Sequence, residues 1–210
     1  MKRGRSAGGH SGPLRFLEQA TRGARARWRA VRALGQRLDA LRSGWLTVPV
    51  ARLRGLLLEA PGMESVLLDA APGRLRIAFE TRDGLPWRLE LGDPRIVFAP
   101  GGAKELSVPV LGRGEGDERG AEVVVAAIGA AVASSCWPWL AARPGLSGGL
   151  VERDSADRWR IDLRTIPAVR ELLVRGGGPM VELVQVAEAR WTEAGLQLRL
   201  RLPIQPGGAR

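Results

Sequence analysis

The sequence predicts an α+β fold in which an antiparallel β-meander packs on two or three helices, behind a basic amphipathic helix at the front of the chain. Two changes of hydrophobic period and one asymmetry of charge predict it. Apolar residues recur at steps of three and four over residues 14–45 and again over 48–60, then at steps of two from residue 63 to residue 111. The first spacing marks one face of a helix and the second one face of a strand. All of the net charge of +10 sits in residues 1–59, which hold thirteen basic side chains against Glu18, Asp39 and Glu59; residues 60–210 hold nineteen of each sign.

Residues 1–13, rich in Gly, Ser and charge, lack apolar periodicity and read as a disordered tail. Lys2, Arg3 and Arg5 are followed by no apolar stretch of signal-peptide length, so the expected location is the cytoplasm, with membrane association through the segment that follows. Residues 14–46 form that segment. Leu17, Ala20, Ala24, Trp28, Val31, Leu34, Leu38, Leu41 and Trp45 share a helix face, with Arg22, Arg25, Arg29, Arg32 and Arg37 between them. A helix with Trp on one side and Arg on the other suits an anionic membrane surface, and Arg22, Arg25, Trp28, Arg29, Arg32 and Trp45 are the candidate membrane-surface residues. A solvated helix packed on the body or a partner, and a nucleic-acid arm, are the competing readings.

The body is expected over residues 47–203. A helix over 48–60 presents Val50, Leu53, Leu56 and Leu57 and stops at Pro61-Gly62. Strands are predicted at 63–70, 74–80, 87–91, 95–99 and 105–111, separated by Ala71-Pro72-Gly73, Asp83-Gly84, Asp93-Pro94 and Gly101-Gly102. Leu75, Ile77 and Phe79 fall on one face and Arg74, Arg76 and Glu80 on the other, the one-sided pattern of an antiparallel sheet. Residues 112–120 read as a charged loop without phosphate-binding glycine spacing. Residues 123–142 carry no charge and are long enough to span a bilayer, but Ala, Ser and Gly dominate them and Pro138 interrupts them, which favours a buried helix. A hairpin over 150–163, a short helix over 167–174 ended by Gly176-Gly177-Gly178, and a hairpin of strands at 181–190 and 196–202 follow; residues 204–210 read as a tail.

The chain also repeats a unit. Leu53-Arg54-x-Leu56-Leu57, a Gly stop, Val66-x-Leu68 and Leu75-x-Ile77-x-Phe79 are matched by Val169-Arg170-x-Leu172-Leu173, a Gly stop, Val184-x-Val186 and Leu196-x-Leu198-x-Leu200. Both read as apolar helix then β-hairpin. Apposing the helix faces on the sheet faces makes an elongated apolar interior, filled by its own side chains or by an acyl chain. Duplication and the ordinary recurrence of helix–hairpin units both account for the match.

The run VPVARLRGLLLEAPGMESVLLDAAPGRLRIAFE with the following meander resembles the opening of the bacterial LmeA-like proteins of the tubular lipid-binding (TULIP) superfamily, and IDLRTIPAVRELL with MVELVQVAEARWTEAGLQLRLRL is similar to their closing segment. The likeness covers roughly residues 46–203 and is one of hydrophobic spacing and turns. It implies a long curved antiparallel sheet wrapped around the helices, with an apolar groove for phospholipid-type ligands. Leu53, Leu56, Leu57, Val169, Leu172 and Leu173 would line the groove from the helices and Leu75, Ile77 and Phe79 from the sheet, with Leu198 and Leu200 in the same place on the second hairpin.

Chemistry is excluded by what the chain lacks. One Cys and one His rule out a disulfide framework, a Cys-rich zinc site and an ordinary Cys/His pair. Nucleophilic catalysis needs a base beside the nucleophile, yet His10 falls in the predicted tail and Cys136 in the apolar run. Asp154, Asp157, Glu115, Asp117 and Glu118 fall in a turn and a polar loop, with no pocket to raise a pKa. The expectation is a non-enzyme without metal or cofactor, whose partners are a phospholipid or other apolar ligand and an anionic membrane surface. A structural interaction protein is the alternative, supported by the heptad-like spacing of Val31, Leu34, Leu38, Leu41 and Trp45. A nucleic-acid binder is less favoured, because Trp28 and the leucines follow a helix face and do not interleave with Arg for base stacking.

Overall fold

The computed structural model describes residues 44–82, 86–114, 118–140, 148–182 and 184–201. The predicted tails at 1–13 and 204–210, and the basic helix as far as residue 43 with Arg22, Arg25, Trp28, Arg29 and Arg32, lie outside the described residues. In chain order the elements are β1 (Trp45–Pro49), α1 (Val50–Leu58), β2 (Met63–Ala71), β3 (Arg74–Thr81), β4 (Pro86–Gly92), β5 (Arg95–Phe98), β6 (Lys104–Arg113), α2 (Glu118–Cys136), β7 (Val151–Ser155), β8 (Arg158–Asp162), α3 (Pro167–Leu172), α4 (Gly178–Glu182), β9 (Gln185–Thr192) and β10 (Gly195–Arg201). The fold is α+β, and every strand pairing is antiparallel.

Seven strands form the large sheet, in the order β2-β3-β4-β6-β8-β7, with β5 also on β6. The long β6 meets β4 through residues 110–113 and β5 through residues 104–107, so β4 and β5 act as one strand kinked at Gly92-Asp93-Pro94. β8 takes the other side of β6. Alternation in β3 follows the sequence closely: Leu75, Ile77 and Phe79 are buried, and Arg74 and Arg76 face water, each within ion-pair distance of Glu90. A second sheet has the order β1-β10-β9. Both predicted units keep the order of helix then hairpin, α1–β2–β3 and α3–α4–β9–β10.

Trp191 ties the two sheets together. Its indole N–H donates to the Gly92 carbonyl at 2.9 Å, its backbone N–H donates to Asp93 Oδ1 at 2.7 Å, and its carbonyl accepts from the Gly73 N–H. The β4/β5 kink is therefore held from across the molecule.

Helix α2 runs through the middle of the core. Ala121, Val124, Val125, Ile128, Ala131 and Val132 are all buried, and 72% of the apolar stretch Arg119–Cys136 lies inside the protein. By length and composition this helix could cross a membrane; its packing is that of a core helix. Small residues let the sheet approach closely: a Cβ on Gly129 would stand 2.8 Å from Ile161 Cδ1. The helix ends where Pro138 predicts, giving way to a 3-10 turn at Pro138–Leu140. Burial pushes the Cys136 thiol up to about 12, so it stays protonated and inert.

Three expectations are corrected. The basic helix was expected to reach residue 46 and the body to start at 47, but Trp45 opens strand β1, opposite Arg199 of β10. Leu46 and Val48 point to the core at period two, and the free edge of β10 supplies the backbone partners that a helix end would lack. The predicted loop at 112–120 is shorter at both ends, since β6 runs through Arg113 and α2 begins at Glu118. Residues 181–182 are helical rather than strand: Gly176, with φ of 82°, breaks α3, and the chain then resumes a helical turn through Glu182 before β9 starts at Gln185.

Candidate functional site

Most of the predicted groove residues close on one another. Leu53, Leu56, Leu57, Leu75, Ile77, Phe79, Val169 and Leu198 belong to one continuous core, and Leu172, Leu173 and Leu200 pack against it half-buried. The void between α1, α2 and the second sheet, bordered by Leu53, Ile128, Trp191 and Leu196, measures about 10 Å³. That is at the limit for one water molecule and far below an acyl chain. The interior predicted to be apolar is apolar, and its own side chains fill it.

Open space lies at the rim of this core instead. A cleft of about 780 Å³ separates the end of the β2–β3–β4 meander from the first turns of α2 and the start of β7. Its floor is apolar. Phe79 and Trp87, directly opposite across β3 and β4, set their rings 5.2 Å apart at a tilt of 36°, and Met63, Val123, Ala126 and Val151 continue the surface. Tilted aromatic pairs at this spacing hold one another in place, so the floor is stiff.

The rim is charged. Arg82 follows β3, and Arg119 and Glu122 lie in the first turns of α2; all three are exposed, and none has an ion-pair partner among the described residues. On α2, residues 119, 122, 123 and 126 share one face, which passes from charged to apolar as it enters the cleft.

A second chamber of about 640 Å³ adjoins the first, and Glu122, Gly148, Gly149 and Val151 border both. Here Leu150, Val151 and Leu173 alternate with polar and charged groups. Asp162 takes Arg164 in a two-pronged contact, with Nη2 to Oδ2 at 2.8 Å and Nε to Oδ1 at 3.2 Å. Burial works to raise the Asp162 carboxyl, but the hydrogen bonds from Arg164 and from the Lys104 backbone N–H outweigh it and hold the group below its ordinary value. Thr165 accepts the Leu150 N–H and donates to the Asp162 carbonyl. Arg170, exposed on α3, has no ion-pair partner among the described residues.

Of the sequence-predicted groove residues, only Phe79 borders the first cleft and only Leu173 the second. Ile77 borders a third recess, about 560 Å³, on the outer face of the large sheet beside Leu67, Arg76 and Arg88. Trp45, a candidate membrane-surface residue, lies on the outer face of the second sheet with the Arg190 guanidinium 4.2 Å over its ring. Met63, Val123, Ala126, Arg82 and Arg119 were not singled out from sequence. The signal that would have found Arg119 was the continuation of the α2 period back through Glu118, hidden by the glycines around it.

Among the described residues no group of three or more His, Cys, Asp or Glu could hold a metal ion. No protein-family model, no curated protein and no solved structure matches this chain.

Proposed function

We propose that this protein is a non-catalytic binder of an anionic amphiphile, a fatty-acid or phospholipid-class molecule, whose hydrocarbon chain lies on the Phe79–Trp87 floor of the cleft between the meander and α2. On this reading the large sheet curves around the helices in the LmeA-like manner, and the ligand sits at the open end of that wrap rather than in its axis. One observation carries it: a cleft of about 780 Å³ with an apolar aromatic floor and cationic side chains at its edge. Cavities of several hundred Å³ lined by apolar groups with a few polar ones suit small ligands. Around the two neighbouring chambers the charges without an ion-pair partner among the described residues are Arg82, Arg119 and Arg170 against Glu122, so an anion is favoured. The chain's own front segment is a poor occupant by the same test, because residues 1–43 hold eleven basic side chains against Glu18 and Asp39. Those basic residues, with Trp28, support delivery of the cleft to an anionic membrane surface.

Organic extraction and mass spectrometry of the purified full chain tests the proposal, alongside Ala126→Trp, which fills the cleft from a position that lines it. Near-stoichiometric amphiphile in the wild type, lost in an A126W that melts at the temperature of the solvent-extracted wild type, is the expected result. No amphiphile, or equal amounts in both proteins, would sink it.

A further inference from the structure

The geometry points to the second chamber as the seat of the ligand's anionic head, with Arg170 as the group that recognises its carboxylate or phosphate. This rests on the amphiphile reading above and assigns the other half of the same ligand. Glu122, Gly148, Gly149 and Val151 border both chambers, which places the second space next to the Phe79–Trp87 floor at the edge of the core. The first chamber has an aromatic and aliphatic floor under a rim of Arg82, Arg119 and Glu122, and the second sets Asp162, Arg164, Thr165 and Arg170 beside Leu150, Val151 and Leu173.

Within the second chamber most polar groups are already committed to one another. Asp162 is consumed by Arg164, and the Thr165 hydroxyl both donates and accepts within the protein. Arg164 is thereby held still, and its Nη1 has no partner among the described residues. The Arg170 guanidinium on α3 has no partner among the described residues, and it is a planar donor suited to a carboxylate or phosphate. Glu122, which borders both chambers and has no ion-pair partner among the described residues, disfavours an anion beside it, and within the second chamber Arg170 is the cation not already held by an acid among those residues.

The test compares two probes with one tail, 11-(dansylamino)undecanoic acid and its uncharged methyl ester, binding to the full chain and to Arg170→Glu. The front segment contributes equally in both proteins, and residue 170 is exposed, so the fold is kept. Charge-assisted contacts set the scale of a loss of about tenfold or more. The acid should weaken by that factor in R170E while the ester stays within twofold, and Arg170→Lys should recover part of the loss. Equal binding of the acid to wild type and R170E overturns the assignment while leaving the amphiphile reading intact. Failure of both probes on the wild type overturns both. Sodium phosphate separates the sources of the anion: phosphate that binds the wild type, is lost in R170E and leaves the acid probe undisturbed would make the chamber a free-anion site, contrary to the proposal.

Discussion

Lys104 is the one fully buried charged side chain among the described residues. It donates to the Ala99 carbonyl at 2.6 Å and to Glu182 Oε2 at 2.9 Å, and lies 5.8 Å from the centre of the Phe98 ring. Glu182 also accepts the Gly101 N–H at 3.0 Å, so one carboxylate pins the β5–β6 turn to α4. Removing Glu182 leaves a buried ammonium without its counter-ion, whereas removing Lys104 leaves a carboxylate that is 36% exposed and keeps the Gly101 N–H, together with the Ala99 carbonyl. Glu182→Gln should therefore cost more in urea unfolding than Lys104→Met, each on the order of 1–3 kcal/mol; the reverse order would mean that the buried Lys104 does not depend on Glu182. The sign of the pH dependence follows from the carboxyl. Burial works to raise Glu182, but the Lys104 and Gly101 hydrogen bonds win and hold it below its ordinary value of 4.5. A group lowered in the folded state stabilises fully above its unfolded value and loses that contribution as pH falls through the folded one. Urea midpoints should hold down to about that value and fall below it, with a shallower fall in E182Q. Gly195 is a second sensitive residue. Its φ of 129° disfavours any side chain, and a Cβ there would run into the Val48 carbonyl oxygen at the β1–α1 junction. Gly195→Ala should cost more than about 1 kcal/mol, read as a lowered melting temperature; an unchanged one would mean that β10 does not dock on β1 as described.

At the scale of elements, α2 and Trp191 organise the fold. Gly129→Ala pushes a methyl against Ile161, which is itself fully buried, and should destabilise by about 1–3 kcal/mol as an overpacked core does. Trp191→Phe keeps an aromatic ring but leaves the Gly92 carbonyl without its indole donor, at a cost of about 1–3 kcal/mol. Native-state hydrogen exchange should then show the Gly92-Asp93-Pro94 kink opening before the remainder of β4; uniform exchange across β4 would deny the clamp. Which elements the sequence disclosed follows from how local their signals are. The β2–β6 meander was legible because alternation and turn residues are neighbours in sequence. Strand β1 was not, since Trp45 and Leu41 continue a helical spacing and the decisive partner, Arg199, lies near the far end of the chain. The helical turn at 178–182 was hidden for the same reason: its anchor is Lys104, 78 residues away. The apolar interior was foreseen residue by residue, but whether Leu53 meets a ligand or Ile128 depends on packing that periodicity does not encode. The cleft itself joins β3, β4, α2 and β7, and no single stretch announces it.

For the whole molecule, the core is closed and the open clefts lie at its rim. A closed core needs no ligand to be stable, because its apolar groups already contact one another at interior density; release and reloading then leave the fold in place. The melting temperature of the full chain should accordingly rise on adding amphiphile by linkage alone, in proportion to the logarithm of ligand excess, and extraction with organic solvent followed by refolding should restore the same cooperative transition. A protein that unfolds when stripped of lipid would have lipid in its axis. The most direct measurement is calorimetry of a series of fatty acids from eight to fourteen carbons on the full chain and on A126W. Each methylene laid on the floor contributes about 0.8 kcal/mol, so the wild type should tighten by about fourfold per carbon until the cleft is full, and A126W should show no such slope. An equal slope in both proteins would place the hydrocarbon elsewhere and contradict the account.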